Sequence, residues 1–210
     1  MILLIDYGMG NIQSIQKILK RKGHAIEVSA DPEKIVQASH LILPGVGHFG
    51  KAMDRLHKLQ LVDLLQEQVI DKKKPILGIC LGMQLFTTRS EEGGVGGLGW
   101  IEGEVKHFRF NDKTYKIPHI GWNTVEKKKE HPILTHIDER TEFYFVHSYY
   151  VQATDESDVL GSTEYGGQVF HSALQKDNII GFQFHPEKSH KWGAQIIEQF
   201  ARGRQAGSFD

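Results

Sequence analysis

Four short, mostly apolar runs, at residues 1–5, 26–28, 41–43 and 76–79, are separated by longer amphipathic stretches. This rhythm restricts the fold more than any other feature. Runs of three to five apolar residues are too short for buried helices and read as strands covered on both faces. Between the first two, Asn11 can cap a helix carrying Ile12, Ile15, Ile18 and Leu19 on one side, with Gly23 positioned to end it. Asp31-Pro32-Glu33 opens a second helix, with proline at its first position. Residues 48–69 set Leu56, Leu59, Val62, Leu65 and Val69 at helical spacing, and Lys72-Lys73-Lys74-Pro75 closes that stretch. Strands alternating with helices in this way predict a parallel sheet with helices on both faces.

Beyond Gly93 the pattern changes. The glycine-rich residues 93–99 read as a surface loop, and strand-like pieces follow at 105–110, 143–151, 168–174 and 179–184. Several of these are expected to pair as hairpins or to lie antiparallel at the edge of a mixed sheet. A last helix over 193–202 ends before Gly203. The expectation is one three-layer α/β domain over residues 1–205 with a short tail at 206–210. Its central sheet is mostly parallel, with antiparallel strands in the second half and helices on both faces.

Composition narrows the function. Hydrophobic residues form 40% of the 210 and charged residues 24%, which excludes a disordered chain. Lys+Arg 25 against Asp+Glu 26 leaves no broad electrostatic footprint for nucleic acid or an anionic membrane. No run approaches the roughly 18 apolar residues of a membrane span, and the start lacks the basic region of a signal peptide. The single cysteine cannot form an internal disulfide, which suits a reducing cytoplasm.

That cysteine sits in Gly78-Ile79-Cys80-Leu81-Gly82, the pattern of a strand turning abruptly into a helix with a nucleophile at the turn. A helix over 81–88 is predicted directly behind it, its dipole favouring thiolate. A buried structural thiol is the other reading. Gly181-Phe182-Gln183-Phe184-His185-Pro186-Glu187 delivers a histidine at a strand end, with a carboxylate two residues on. Along an extended segment both side chains leave the same side, so Glu187 can fix the tautomer of His185. A packed or surface pair would carry the same spacing. Pro44-Gly45-Val46-Gly47 closes another predicted strand, and ligand sites in open α/β sheets lie outside such ends. There an N–H near Gly47 could join that of Leu81 in holding an oxyanion.

Pro44-Gly45-Val46-Gly47, Gly78-Ile79-Cys80-Leu81-Gly82-Met83-Gln84 and Phe184-His185-Pro186-Glu187 together resemble the motifs of class I glutamine amidotransferases. Asp6-Tyr7-Gly8-Met9-Gly10-Asn11, Gly121-Trp122-Asn123, Phe145-Val146-His147-Ser148-Tyr149 and Pro186-Glu187-Lys188-Ser189 are similar, within that class, to the glutaminase subunits of imidazole glycerol phosphate synthases. The resemblance implies L-glutamine as substrate, a Cys80-His185-Glu187 triad and substrate contacts from Gln84 and Ser148. It implies neither cofactor nor metal. It also implies a (β/α)₈-barrel cyclase subunit as partner, forming a heterodimer and receiving ammonia, with Asn11, Trp122, Tyr144 and Lys188 at the docking face. The isolated subunit is then expected to be nearly inactive until the partner's ligand biases the 44–47 loop. Such subunits commonly carry glutamine after Glu-Lys-Ser, where this chain has His190. A subunit serving another synthase, or a non-catalytic module of the same fold, would keep much of this pattern. His57, His107, His131, His136 and His171 have no assigned chemistry.

Overall fold

The computed structural model describes residues 1–203; the expected domain end at 205 and the tail at 206–210 lie outside the described residues. The first half follows the predicted alternation: β1 (Ile2–Ile5), α1 (Ile12–Arg21), β2 (Ile26–Ser29), α2 (Pro32–Gln37), β3 (His40–Gly45), α3 (Phe49–Lys58), α4 (Leu61–Gln66) and β4 (Ile76–Cys80). A four-residue α5 (Leu81–Gln84) leads to β5 (Thr87–Ser90), β6 (Val95–Gly96) and β7 (Ile101–His107). Then come β8 (His119–Thr124), β9 (Glu126–Lys127), β10 (Glu142–His147), β11 (Tyr149–Ala153), β12 (Val159–Tyr165), β13 (Gln168–Lys176), β14 (Ile179–Phe182) and α6 (His190–Arg202).

One sheet runs through the molecule in the order β2-β1-β3-β4-β14-β13-β11-β7-β5-β6, with β12 and β9 joined beside β13. Pairing is parallel from β2 to β14 and antiparallel from β14 through β7. The antiparallel strands therefore form a continuous block in which β13 and β14 pair as an expected hairpin, and antiparallel pairs also close the sheet at β5–β6 and β12–β9. The alternation of side chains along β1 separates the two layers beneath and above. Ile2 and Leu4 pack on the face covered by Ile15, Ile18 and Leu19 of α1 and by Ile196, Ile197 and Phe200 of α6. Leu3 and Ile5 meet Ile35 of α2, Phe49, Met53 and Leu56 of α3, and Leu61 and Leu65 of α4. Each such side chain contributes about 1.5–3 kcal/mol by leaving water.

Three sequence expectations change. The stretch 48–69 is two helices, because Gln60 adopts φ 56 and breaks the first. The break leaves Leu59 41% exposed and turns Leu61, Leu65 and Val69, all fully buried, toward the sheet. A π-helical turn at Glu67–Asp71 completes the run. The stretch 143–151 is two strands in two sheets. β10 pairs with β8 in a separate ribbon, while β11 pairs with β7 and β13 in the main sheet, and Ser148 is the joint. The last helix starts at His190, earlier than expected, and ends at Gly203, whose φ of −53 is not left-handed. Among the described residues no helix is long and apolar enough to cross a membrane.

Candidate active site

β4 ends in a contorted turn. Cys80 has φ 54 and ψ −111, a conformation that L-residues adopt only when their surroundings force it. The flanking glycines supply that force by letting neighbours close in. A Cβ on Gly78 would stand 2.5 Å from Phe86 Cε2, and one on Gly82 would stand 1.9 Å from the Leu43 carbonyl oxygen of β3. Either substitution would push the turn off the sheet. The predicted helix over 81–88 does not form: Thr87 Oγ1 donates to the Gln84 carbonyl at 2.8 Å, and Thr87–Ser90 enters the sheet as β5. A single turn carries little macrodipole, so activation of the thiol must come from its neighbours.

His185 is such a neighbour. It leaves the end of β14 and meets Glu187 across the helical turn Pro186–Lys188, not along the extended segment expected. Its Nδ1 donates to Glu187 Oε1 at 2.9 Å, with both side chains about 1% exposed. Nε2 is buried and its approach to Cys80 stops short of a formed hydrogen bond. Burial opposes charge on this ring. The facing Cys80 side chain and the Glu187 carboxylate outweigh it and hold the imidazole protonated well above its ordinary range. Glu187 Oε1 also accepts from Asn11 Nδ2 at 3.2 Å. This explains why Asn11 stands at the start of α1 yet makes no side-chain cap.

A cavity of about 290 Å³ opens over the thiol, lined by Val46, Gly47, Cys80, Leu81, Gln84, Glu92, Pro118, Val146, His147, Ser148, Tyr149 and His185. Cys80 is 7% exposed, so the sulfur is reachable although enclosed. Gly47, Leu81, Gln84 and Ser148, expected from sequence, all line this cavity. Gln84 spends both amide protons inside the protein, on the Tyr149 carbonyl and on Gln183 Oε1, each at 3.0 Å. Its carbonyl oxygen is left as the polar end.

Two lining or supporting groups escaped the sequence reading. Gln183, fully buried, donates to Cys80 Sγ at 3.6 Å. Its signal was a polar residue two positions before His185 in an otherwise apolar strand. Glu92 accepts from the Phe49 N–H at 2.7 Å where α3 begins. Nothing local distinguishes it from its neighbour Glu91. Among the described residues no group of three or more His, Cys, Asp or Glu side chains is arranged to hold a metal ion.

The residues expected at a docking face divide. Trp122, 42% exposed, meets the Tyr144 ring edge-on at 5.9 Å, and Lys188 Nζ lies 5.5 Å from the Tyr144 centroid. His190 stacks flat on Trp122 at 4.8 Å. These three expected residues form one platform on the β8–β10 ribbon. Asn11 instead points inward to Glu187.

Residues 3–203 match the sequence model of the family described as glutamine amidotransferase class-I. The chain is 52% identical over 200 residues to "Imidazole glycerol phosphate synthase subunit HisH 2" of Pseudomonas aeruginosa, covering 95% of this chain and 98% of that one. It is 48% identical to the protein of the same name from Methanococcus maripaludis, covering 96% and 99%. The solved structure of PurLQS from Thermotoga maritima shares the fold at a TM-score of 0.68 and 16% identity, covering 95% of this chain and 96% of that one. Family match and full-length relatives agree: the chain belongs to the class I glutamine amidotransferases.

Proposed function

We propose that this chain is the glutaminase subunit of an imidazole glycerol phosphate synthase and hydrolyses L-glutamine through a cysteinyl thioester. The observation that carries the chemistry is His185, held by Glu187 and facing Cys80 on the floor of the cavity. The subunit assignment is supported by the names of relatives about half identical over nearly the whole chain.

In this mechanism the Cys80 thiolate attacks the side-chain carboxamide carbon, and the N–H groups of Gly47 and Leu81 hold the oxyanion. The tetrahedral intermediate collapses as His185 passes its proton to the leaving nitrogen. Ammonia departs and a γ-glutamyl thioester remains. His185, now neutral, takes a proton from water as that water attacks; collapse then releases glutamate and restores the thiolate beside a protonated ring. Glu187 orients the imidazole throughout. The substrate's α-ammonium suits the Glu92 carboxylate and the free oxygen of Gln84, and its α-carboxylate suits the Ser148 corner.

Ammonia passes to a (β/α)₈-barrel cyclase subunit docked on Trp122, Tyr144 and Lys188, with Asn11 linking that rim to Glu187. The heterodimer works in the cytoplasm, in histidine biosynthesis, making imidazole glycerol phosphate and aminoimidazole carboxamide ribotide. The test is glutamate release by the purified chain alone, with the cyclase, and with the cyclase plus its nucleotide. Activity should rise steeply at each addition and vanish in Cys80→Ala. Full turnover in Cys80→Ala, or equal turnover without the partner, overturns the reading.

A further inference from the structure

Two histidines, His147 in the cavity wall and His119 behind it, occupy an aromatic box. His119, at the start of β8, stacks on Tyr165 at 4.0 Å and on Phe145 at 5.0 Å, and His147, at the end of β10, packs on Phe108 and Phe170. The register of the ribbon sets them directly opposite each other. Their rings join through His119 Nδ1 and His147 Nε2 at 3.0 Å, and His147 Nδ1 reaches the Tyr149 carbonyl at 2.7 Å.

A carbonyl can only accept, so His147 carries its proton on Nδ1, and its Nε2 must accept in turn. His119 therefore donates from Nδ1, and its own Nε2 faces the Asn123 amide at 3.5 Å. Both rings are thus fixed as neutral Nδ1–H tautomers. Burial agrees, lowering His119 to about 4 and His147, which also feels His119, to about 3. The Tyr149 carbonyl that ends this chain is the one that Gln84 also engages, and Gln84 holds Gln183 against the Cys80 sulfur.

We propose that His147, set in one tautomer by His119, is a positioning residue of the glutamine site, acting through the Tyr149 carbonyl on Gln84 and Gln183. Neither histidine takes part in proton transfer; the pair shapes the wall that the substrate meets. The kinetic consequence rests on the glutaminase reading, whereas the tautomers do not.

Two experiments decide it. Nitrogen-15 spectra of the imidazoles in the full wild-type chain should put the proton of both rings on Nδ1, against the usual Nε2 preference of free histidine. An Nε2–H form of either ring overturns the proposal whatever the activity. In the complex with the cyclase, His119→Phe keeps the ring stack but leaves a buried acceptor unpartnered, and should raise KM for glutamine about tenfold with kcat within about twofold. His119→Asn restores a donor near Nδ1 and should recover most of that loss. A folded His119→Phe with unchanged KM, or no recovery in His119→Asn, also overturns the proposal. An inactive wild-type complex would instead sink the glutaminase reading, which the spectra do not touch.

Discussion

Two buried histidine sites border one cavity, and the same side chain is driven to opposite charge states. His185 has the Glu187 carboxylate on one nitrogen and the Cys80 side chain facing the other, so burial loses. His119 and His147 have each other, an amide, a carbonyl and aromatic rings but no anion, and the charge on His185 further opposes one on His147, so burial wins. Burial alone therefore does not set the charge of a histidine; what matters is whether an anion accompanies it.

The contrast can be broken from either side. The largest effect is expected from Glu187→Gln, which strips His185 of its charged orienter and should lower kcat by about 10²- to 10⁴-fold. Stopped assays of glutamate release with the cyclase present measure it, and a loss below tenfold would mean that Glu187 is a bystander.

Acid should act on the other site. The folded-state pKa values of His119 and His147 lie below the unfolded value near 6.5. The unfolded chain then binds more protons as pH falls, and stability drops from about pH 6.5 downward, by about 1–2 kcal/mol per ring at pH 5. Denaturant midpoints across that range test this: His40, His131 and His171, also lowered by burial, add to the fall, and a folded variant lacking one ring of the pair loses only that ring's share. His185, with a raised value, has the opposite sign: its contribution is complete below about 6.5 and is lost as alkali discharges the ring.

The smallest effect is expected from Gln183→Leu. Loss of one buried donor to the sulfur should cost about tenfold in kcat and leave the Glu187–His185 contact intact. An unchanged kcat would show that the sulfur needs no such support.

Much of this contrast was visible in the sequence on one side and almost none on the other. Cys80, His185 and the 44–47 loop stand at strand ends, and parallel strands with covering helices bring such ends to one rim whatever the details. The elbow glycines announced themselves because close approach can be read locally. The length of the helix after Cys80 could not be read, because Thr87 and its successors are claimed by β7, a strand set fourteen residues later. Likewise the division of 143–151 at Ser148 depends on β8 and β7 as competing partners. The His119–His147 contact exists only through that long-range register, and spacing along the chain gives no hint of it.

Tyr144 presents its ring to Lys188 and Trp122 on the outside, while its backbone carbonyl accepts from the His185 N–H at 2.8 Å and its N–H donates to Ser189 Oγ at 3.0 Å. Trimming the ring would leave both backbone ties standing. Alanine scanning is consequently blind to the main-chain tether between the outer platform and the histidine. Replacing the amide at that peptide by an ester is the kind of change that would register it.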